Sequence, residues 1–135
     1  MFRTVFQGLI NDMATLRSYW NTSPLFAFLF VNDHIPTDGD VFGDYVEPTF
    51  AGYAQVNMAG FALPMIVGVR AVVAANPVQF MVTANGPLDL CFGWGIRDNN
   101  FFNLLGAERF DTPIPMQNAG NTILRYPVLT IKSET

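Results

Sequence analysis

Apolar positions along the chain fall into one helical stripe followed by a succession of short β-type patterns. Phe2, Val5, Phe6, Leu9, Ile10, Met13 and Leu16 recur at i, i+3, i+4, i+7 spacing, which predicts an amphipathic helix over residues 2–17. Thr4, Gln7, Gly8, Asn11, Asp12 and Thr15 fall on its other side. Gly8 weakens such a helix by ~1 kcal/mol relative to Ala. It therefore depends on docking its stripe, either on this domain's own sheet or on another subunit as a terminal arm would. The helix ends by Tyr19-Trp20, because Pro24 disfavours helical backbone at Ser23.

Leu25–Val31 (LFAFLFV) is too short for a helix and too apolar for an exposed strand, so it predicts a strand buried on both faces, one of them under the N-terminal helix. Tyr53–Met58 and Val78–Thr83 alternate apolar and polar residues, as half-buried strands do. Further strands are predicted at Phe61–Pro64, Val67–Ala75, Leu88–Ile96 and Phe101–Phe110. Thr112–Met116 reads as a short edge strand interrupted by Pro113 and Pro115, and Thr122–Ile131 as the last strand. Asn76-Pro77, Asn85-Gly86-Pro87, Asp98-Asn99-Asn100 and Gln117–Asn121 supply turns. Gly93 and Gly95 flank Trp94, a pattern that marks a bulge or close packing beneath a large ring. The expected fold is mainly β: an antiparallel β-sandwich or jelly-roll-like domain over residues 21–135, preceded by a short N-terminal α-helical arm over residues 1–20.

Between the first strand and the second lies Asn32–Ala54 (NDHIPTDGDVFGDYVEPTFAGYA), an irregular stretch punctuated by Pro36, Pro48, Gly39, Gly43 and Gly52. It holds five of the eleven acidic residues: Asp33, Asp38, Asp40, Asp44 and Glu47. These carboxylates could offer oxygen ligands to calcium, but the regular ligand spacing and terminal Glu of an EF-hand are not met. The reading preferred is that they accept hydrogen bonds from loop backbone and cap turns. Within the stretch, Phe50 and Tyr53 are expected to anchor a turn in the core, with Gly52 permitting a tight backbone.

Half of the 135 residues are hydrophobic and thirteen are Phe, while only 13% are charged, about half the ~25% usual for soluble domains. A chain of this size has too few charged side chains to cover its outside, so apolar surface should be buried against a neighbour, and an oligomer or a subunit of a larger assembly is expected. The net charge of −4 and the scattered cations argue against a nucleic-acid partner. Apolar runs are too short to span a bilayer, and no secretory signal is evident, so the expectation is a soluble protein with no membrane partner. The single cysteine, Cys91, sits in an apolar run and reads as a buried, inert thiol.

Catalytic constellations are missing. His34 stands alone in a loop, and Ser18, Ser23 and Ser133 lie outside any nucleophile motif. No phosphate-cradling GxxxxGK run exists, and Gly93-Trp94-Gly95 lacks the strand–turn–helix context of a dinucleotide site. Glu108-Arg109 reads as a structural ion pair. The expectation is no enzyme, no cofactor and no metal.

One resemblance spans nearly the whole chain. Leu29–Ala54, with its order of apolar strand, Asn-Asp, Pro, Thr, Asp and then Tyr-Val-Glu-Pro-Thr-Phe-Ala-Gly-Tyr-Ala, resembles a pattern in small virion structural proteins of tailed bacteriophages. In these a short N-terminal helix precedes a β domain with runs like "LYTNDxTP…D…FTEATFxGYA". The aromatic-Gly strand Phe92–Asp98, then Leu104–Phe110 (LLGAERF) and Thr112-Pro113-Ile114, are similar to the later part of that pattern. The chain departs from it at Gly106, where the family often shows Trp, and Gly60–Ala84 has no counterpart.

The resemblance implies a non-enzymatic head-decoration (cement) subunit, made in the host cytoplasm and sitting on the phage head exterior. Its implied partners are the major capsid protein and copies of itself, a trimer being favoured by analogy with local threefold positions of an icosahedral shell. Phe50, Gly52, Tyr53, Trp94 and Phe110 are then core and turn residues, and Phe2, Phe6, Leu9, Met13 and Trp20 candidate interface residues. The alternative is a receptor- or glycan-binding β-sandwich module of a tail or fibre, for which Trp20 or Trp94 could form an exposed aromatic platform.

Overall fold

The computed structural model describes residues 24–63, 65–67, 70–99 and 104–132. The expected N-terminal helix, with Phe2, Phe6, Leu9, Met13 and Trp20, lies outside the described residues.

The described chain is mainly β and its strand pairs are antiparallel. The strands are β1 (Leu25–Phe30), β2 (Val56–Asn57), β3 (Met65–Val67), β4 (Arg70–Ala74), β5 (Val78–Met81), β6 (Asp89–Asp98), β7 (Leu104–Met116), β8 (Thr122–Arg125) and β9 (Val128–Lys132). A four-stranded sheet has the order β2-β1-β6-β7, and the remaining strands pair as β3-β4-β9 and β5-β8.

The last two groups form one bent ribbon. Ala74 is opposite Val128 and Val78 opposite Arg125, so Ala75–Pro77 on one side face only Tyr126 and Pro127 on the other. This extra residue is a bulge. Pro77 and Pro127 have no N–H to give the ladder, and a bond from Ala75 N–H to the Pro127 carbonyl (3.1 Å) spans the bend. Pro127 therefore splits the expected final strand Thr122–Ile131 into β8 and β9, with different partners.

The expected strands differ from those found in other places. Tyr53–Met58 contributes only the two-residue β2, and Phe61–Leu63 is not strand, although the Phe61 ring is buried. The short strand expected at Thr112–Met116 is the second half of a 13-residue β7. Pro113 and Pro115 are tolerated there because β7 is the sheet's edge. Being two residues apart, they turn their ring nitrogens the same way, toward the open edge, and pairing with β6 continues at Cys91–Ile114 and Leu90–Pro115.

The main core gathers Leu25, Ala27 and Leu29 of β1, Cys91, Trp94 and Ile96 of β6, and Phe110 and Met116 of β7. Against them lie Val73, Val78, Phe80 and Ile123 of the ribbon, with Phe50, Met58 and Phe61 from the connections. A second, smaller cluster lies on the opposite face of the four-stranded sheet: Phe28, Phe30 and Tyr45, with Phe42, Phe92, Leu104 and Ala107 against it. Strand β1 is thus buried on both faces, as its unbroken apolar run predicts. Among the described residues, what covers the second face is the acidic stretch, through Phe42 and Tyr45.

Candidate functional site

The acidic stretch forms a cap over that second face, and its carboxylates are its fasteners. Asp40, 6% exposed at its side chain, accepts from the Thr37 backbone N–H (2.9 Å), the Thr37 hydroxyl (2.7 Å), the Tyr45 hydroxyl and the His34 Nε2–H (2.8 Å). These donors, Tyr45 foremost, hold the Asp40 carboxyl well below the usual carboxylate range, against the smaller opposing effect of burial. Burial, reinforced by the neighbouring Asp40 carboxylate, pushes the Tyr45 phenol up. His34, the sole histidine, is spent on bracing this loop: its ring meets Tyr45 edge-on at 5.0 Å between centroids and its nitrogen faces Asp40.

The ends of the cap are tied to the sheet separately. Val31 N–H donates to the Val46 carbonyl, and the Asn32 side chain bridges the Asp44 carbonyl and the Val46 N–H. Asp44 accepts from the Val41 N–H (2.8 Å) and closes the 3-10 turn Phe42–Asp44. Asp33 pairs with Arg109 of β7 at 2.6 Å. Arg109, not Glu108, is thus the residue in an ion pair; Glu108 accepts from the Trp94 indole N–H at 3.4 Å, and the expected Glu108–Arg109 pair is replaced because the two neighbours point to opposite faces of β7. Asp33, Asp40, Asp44 and Glu47 are dispersed over separate duties, and among the described residues no group of three or more His, Cys, Asp or Glu is arranged to hold a metal ion.

Beyond the cap, Glu47 starts a polar chain that runs under the sheet edge. Its carboxylate accepts from the Tyr53 hydroxyl (2.5 Å) and the Gln55 amide (2.9 Å), and the Gln55 carbonyl accepts from Arg97 Nε at 2.7 Å. Arg97 is buried, with its guanidinium 4.7 Å from the Phe26 ring centroid and 5.7 Å from that of Phe42. Burial lowers its pKa, opposed by Glu47 and Asp98. The Tyr53 hydroxyl also accepts from the Leu29 N–H at 3.3 Å, and burial followed by the Glu47 contact pushes its phenol up.

The turn residues read from the sequence sit together. Tyr53 N–H donates to the Phe50 carbonyl (3.1 Å), and Gly52 between them has φ +88°, the left-handed conformation that favours glycine. A Cβ on Gly52 would also lie 2.5 Å from Thr83 Cγ2. Phe50 is buried in the main core, its ring edge-on to Tyr53, which stacks on Phe80. Trp94 (8% exposed) and Phe110 are buried in the same core. Burial pushes the Cys91 thiol up to about 12, with Asp89 adding to it.

Among the described residues, clefts lie on two sides of the first half of β7. The smaller, about 260 Å³, lies between the cap and Leu104–Ala107. The larger, about 440 Å³, opens between Leu105–Glu108 and the β8–β9 bend, with Trp94 and Ile96 on its floor and Arg125, Tyr126 and Val128 on its far wall. Sequence reasoning missed this cleft, because it lies between segments about twenty residues apart in the chain, β7 and the β8–β9 connection, that only the fold brings together. Apolar side chains are also exposed outside it: Ile35, Val41 and Val46 on the cap, Leu63 and Met65 near β3, and Met81 and Leu124 on β5 and β8.

Among the described residues no helix is long and apolar enough to cross a membrane. No protein-family model, curated protein or solved structure matches the chain.

Proposed function

We propose that this chain is a non-enzymatic virion structural protein, a cement subunit that decorates the exterior of a tailed-phage head and bridges capsid subunits. In this reading the two β layers form a sandwich, and its partners are the major capsid protein and its own copies, arranged as a trimer. The observation that carries the reading is the surface. Ile35, Leu63, Tyr126, Met65, Val41, Val128 and Val46 are each more than half exposed on a chain of which only 13% is charged, which leaves apolar side chains for a neighbour to cover. The cap supports it further: Asp40 and Asp44 hold loop backbone and Asp33 ties the loop to Arg109 of β7, which suits a preformed contact surface. The resemblance in Leu29–Ala54 and Leu104–Phe110 gives that surface its proposed setting.

A receptor- or glycan-binding module is the second reading. Tyr126, 69% exposed at the rim of the larger cleft, favours it. Trp94 does not, because its ring is covered by this chain's own core. The two are separated by mixing purified protein with bare phage shells and with a glycan array. Cement gives saturable shell binding and shells that resist heat; glycan signal with no shell binding overturns it.

A further inference from the structure

The outer edge of β7 is open: the sheet order ends there, and among the described residues no strand pairs with that side. The Glu108 and Gly106 carbonyl oxygens point at β6, lying 2.2 and 2.9 Å from where a Cβ on Gly93 and on Gly95 would stand. Backbone groups alternate along a strand, so the N–H and C=O of Ala107 and Arg109 face outward. Pro113 and Pro115 blunt the far half of this edge. Pairing is thereby confined to the first half, which is where the clefts lie. We propose that this stretch grips an extended segment of a partner protein as an added strand, one in which a basic residue stands between two apolar ones.

The pattern follows from the faces of the sheet. Gly106 and Glu108 are opposite Ile96 and Trp94, so the positions facing them on an added strand turn the same way, into the larger cleft. Its floor of Trp94 and Ile96 and its wall of Tyr126 and Val128 suit apolar side chains. A Cβ on Gly106 would meet nothing within 4 Å, which leaves that space to the newcomer. The position facing Ala107 turns to the cap side instead, into the smaller cleft beside Asp38 and Asp40. Asp38 is exposed and has no salt bridge among the described residues, and a cation there complements both carboxylates.

This chain does not supply the segment itself. Apolar–basic–apolar order occurs in it at Val69-Arg70-Ala71 and Leu124-Arg125-Tyr126. Arg70 and Ala71 belong to β4, which is paired on both sides, and Arg125 lies over its own Phe110 ring at 4.3 Å. Two copies of β7 pair badly, because antiparallel partners share a face and registers centred on 108 or 109 oppose two Glu108 or two Arg109 side chains. In the cement reading the segment belongs to the capsid protein; the inference rests on that reading for the segment's source and not for its chemistry.

The test uses the full chain and synthetic peptides. A fluorescent heptapeptide with lysine between two valines and threonine elsewhere (TTVKVTT) should bind saturably, and its glutamate counterpart (TTVEVTT) at least ~5-fold more weakly. Methylating the backbone nitrogen of the lysine, which faces β7, should weaken binding about 3- to 10-fold, the worth of one hydrogen bond. Methylating that of the next valine, which faces away, should leave binding unchanged. Asp38→Lys, at an exposed position, should reverse the preference between the lysine and glutamate peptides. In hydrogen exchange, the Ala107 and Arg109 amides should be open in the free chain and protected once the lysine peptide is bound. No binding in the millimolar range, equal binding of all the peptides, or a preference of the unaltered chain for glutamate overturns the proposal. Protection of both amides in the free chain overturns it too, because the edge is then already occupied. Shell binding is read separately: shells bound by a chain that ignores the peptides remove this inference and leave the cement reading, and the converse result removes the cement reading alone.

Discussion

Phe30 and Gly93 face each other across β1 and β6, and the phenyl ring lies where a larger residue's side chain would stand. A Cβ built on Gly93 would be 2.5 Å from Phe30 Cζ and 2.2 Å from the Glu108 carbonyl oxygen. Phe28 and Gly95 repeat the arrangement two residues along, with the Phe28 Cζ again at 2.5 Å. The glycines around Trp94 therefore make space for two phenylalanines on the opposite face of the sheet, the face that the acidic cap then covers.

Gly93→Ala is expected to destabilise the fold by ~1–3 kcal/mol, the usual cost of overpacking. Urea denaturation measures it. Combining the change with Phe30→Leu should recover part of the loss, whereas independent, additive losses would show that ring and glycine do not share the space.

Asp40 ties the cap to acid stability. Its folded-state pKa lies below its unfolded value of ~3.9, so its ionised form stabilises the fold fully above that value, and the contribution is lost as pH falls through the folded one. Asp40→Asn should lower the urea midpoint at pH 7, and the gap to wild type should close on acidification below about pH 4. A gap that stays constant down to pH 2 would contradict the proposed role of the carboxylate.

Phe50→Ala should cost ~3–5 kcal/mol, as buried aromatics do. Tyr53→Phe is expected to cost ~1–3 kcal/mol, because it leaves the Leu29 N–H and the Glu47 carboxylate each short of a partner. Chemical denaturation of each variant checks both, and wild-type stability in Phe50→Ala would contradict the burial of that ring.

Cys91 offers a probe of opening. With its pKa pushed up to about 12, the folded chain should react with an aromatic disulfide reagent at pH 8 on the order of 10³-fold more slowly than free cysteine, from thiolate fraction alone. Full reactivity should return in denaturant. Rapid reaction of the native protein would show that the core around β6 is open.

Much of the fold was legible because it depends on local pattern. The doubly buried β1, the β6 strand with its paired glycines and the Phe50–Tyr53 turn follow from apolar runs, from glycine placement and from residues adjacent in sequence. What was not legible depends on pairing at a distance. Pro113 and Pro115 read as an edge, which β7 is, but not as the continuation of the strand that begins at Leu104; Pro127 looks like a strand end until its neighbours are seen to pair with β4 and β5. The acidic stretch gave its chemistry, carboxylates bracing turns, but not its place. Nothing in the spacing of Phe42 and Tyr45 says that they cover Phe28 and Phe30, and Arg109 finds Asp33 only across 76 residues of chain.

The central claim is that the exposed apolar surface of this chain is covered by a capsid shell. Electron cryo-imaging of shells assembled from the capsid protein of the same genome, with the purified chain added, tests it most directly. The account predicts density for the chain at every equivalent position of one class of lattice site. Shells whose surface stays bare at saturating protein would contradict it.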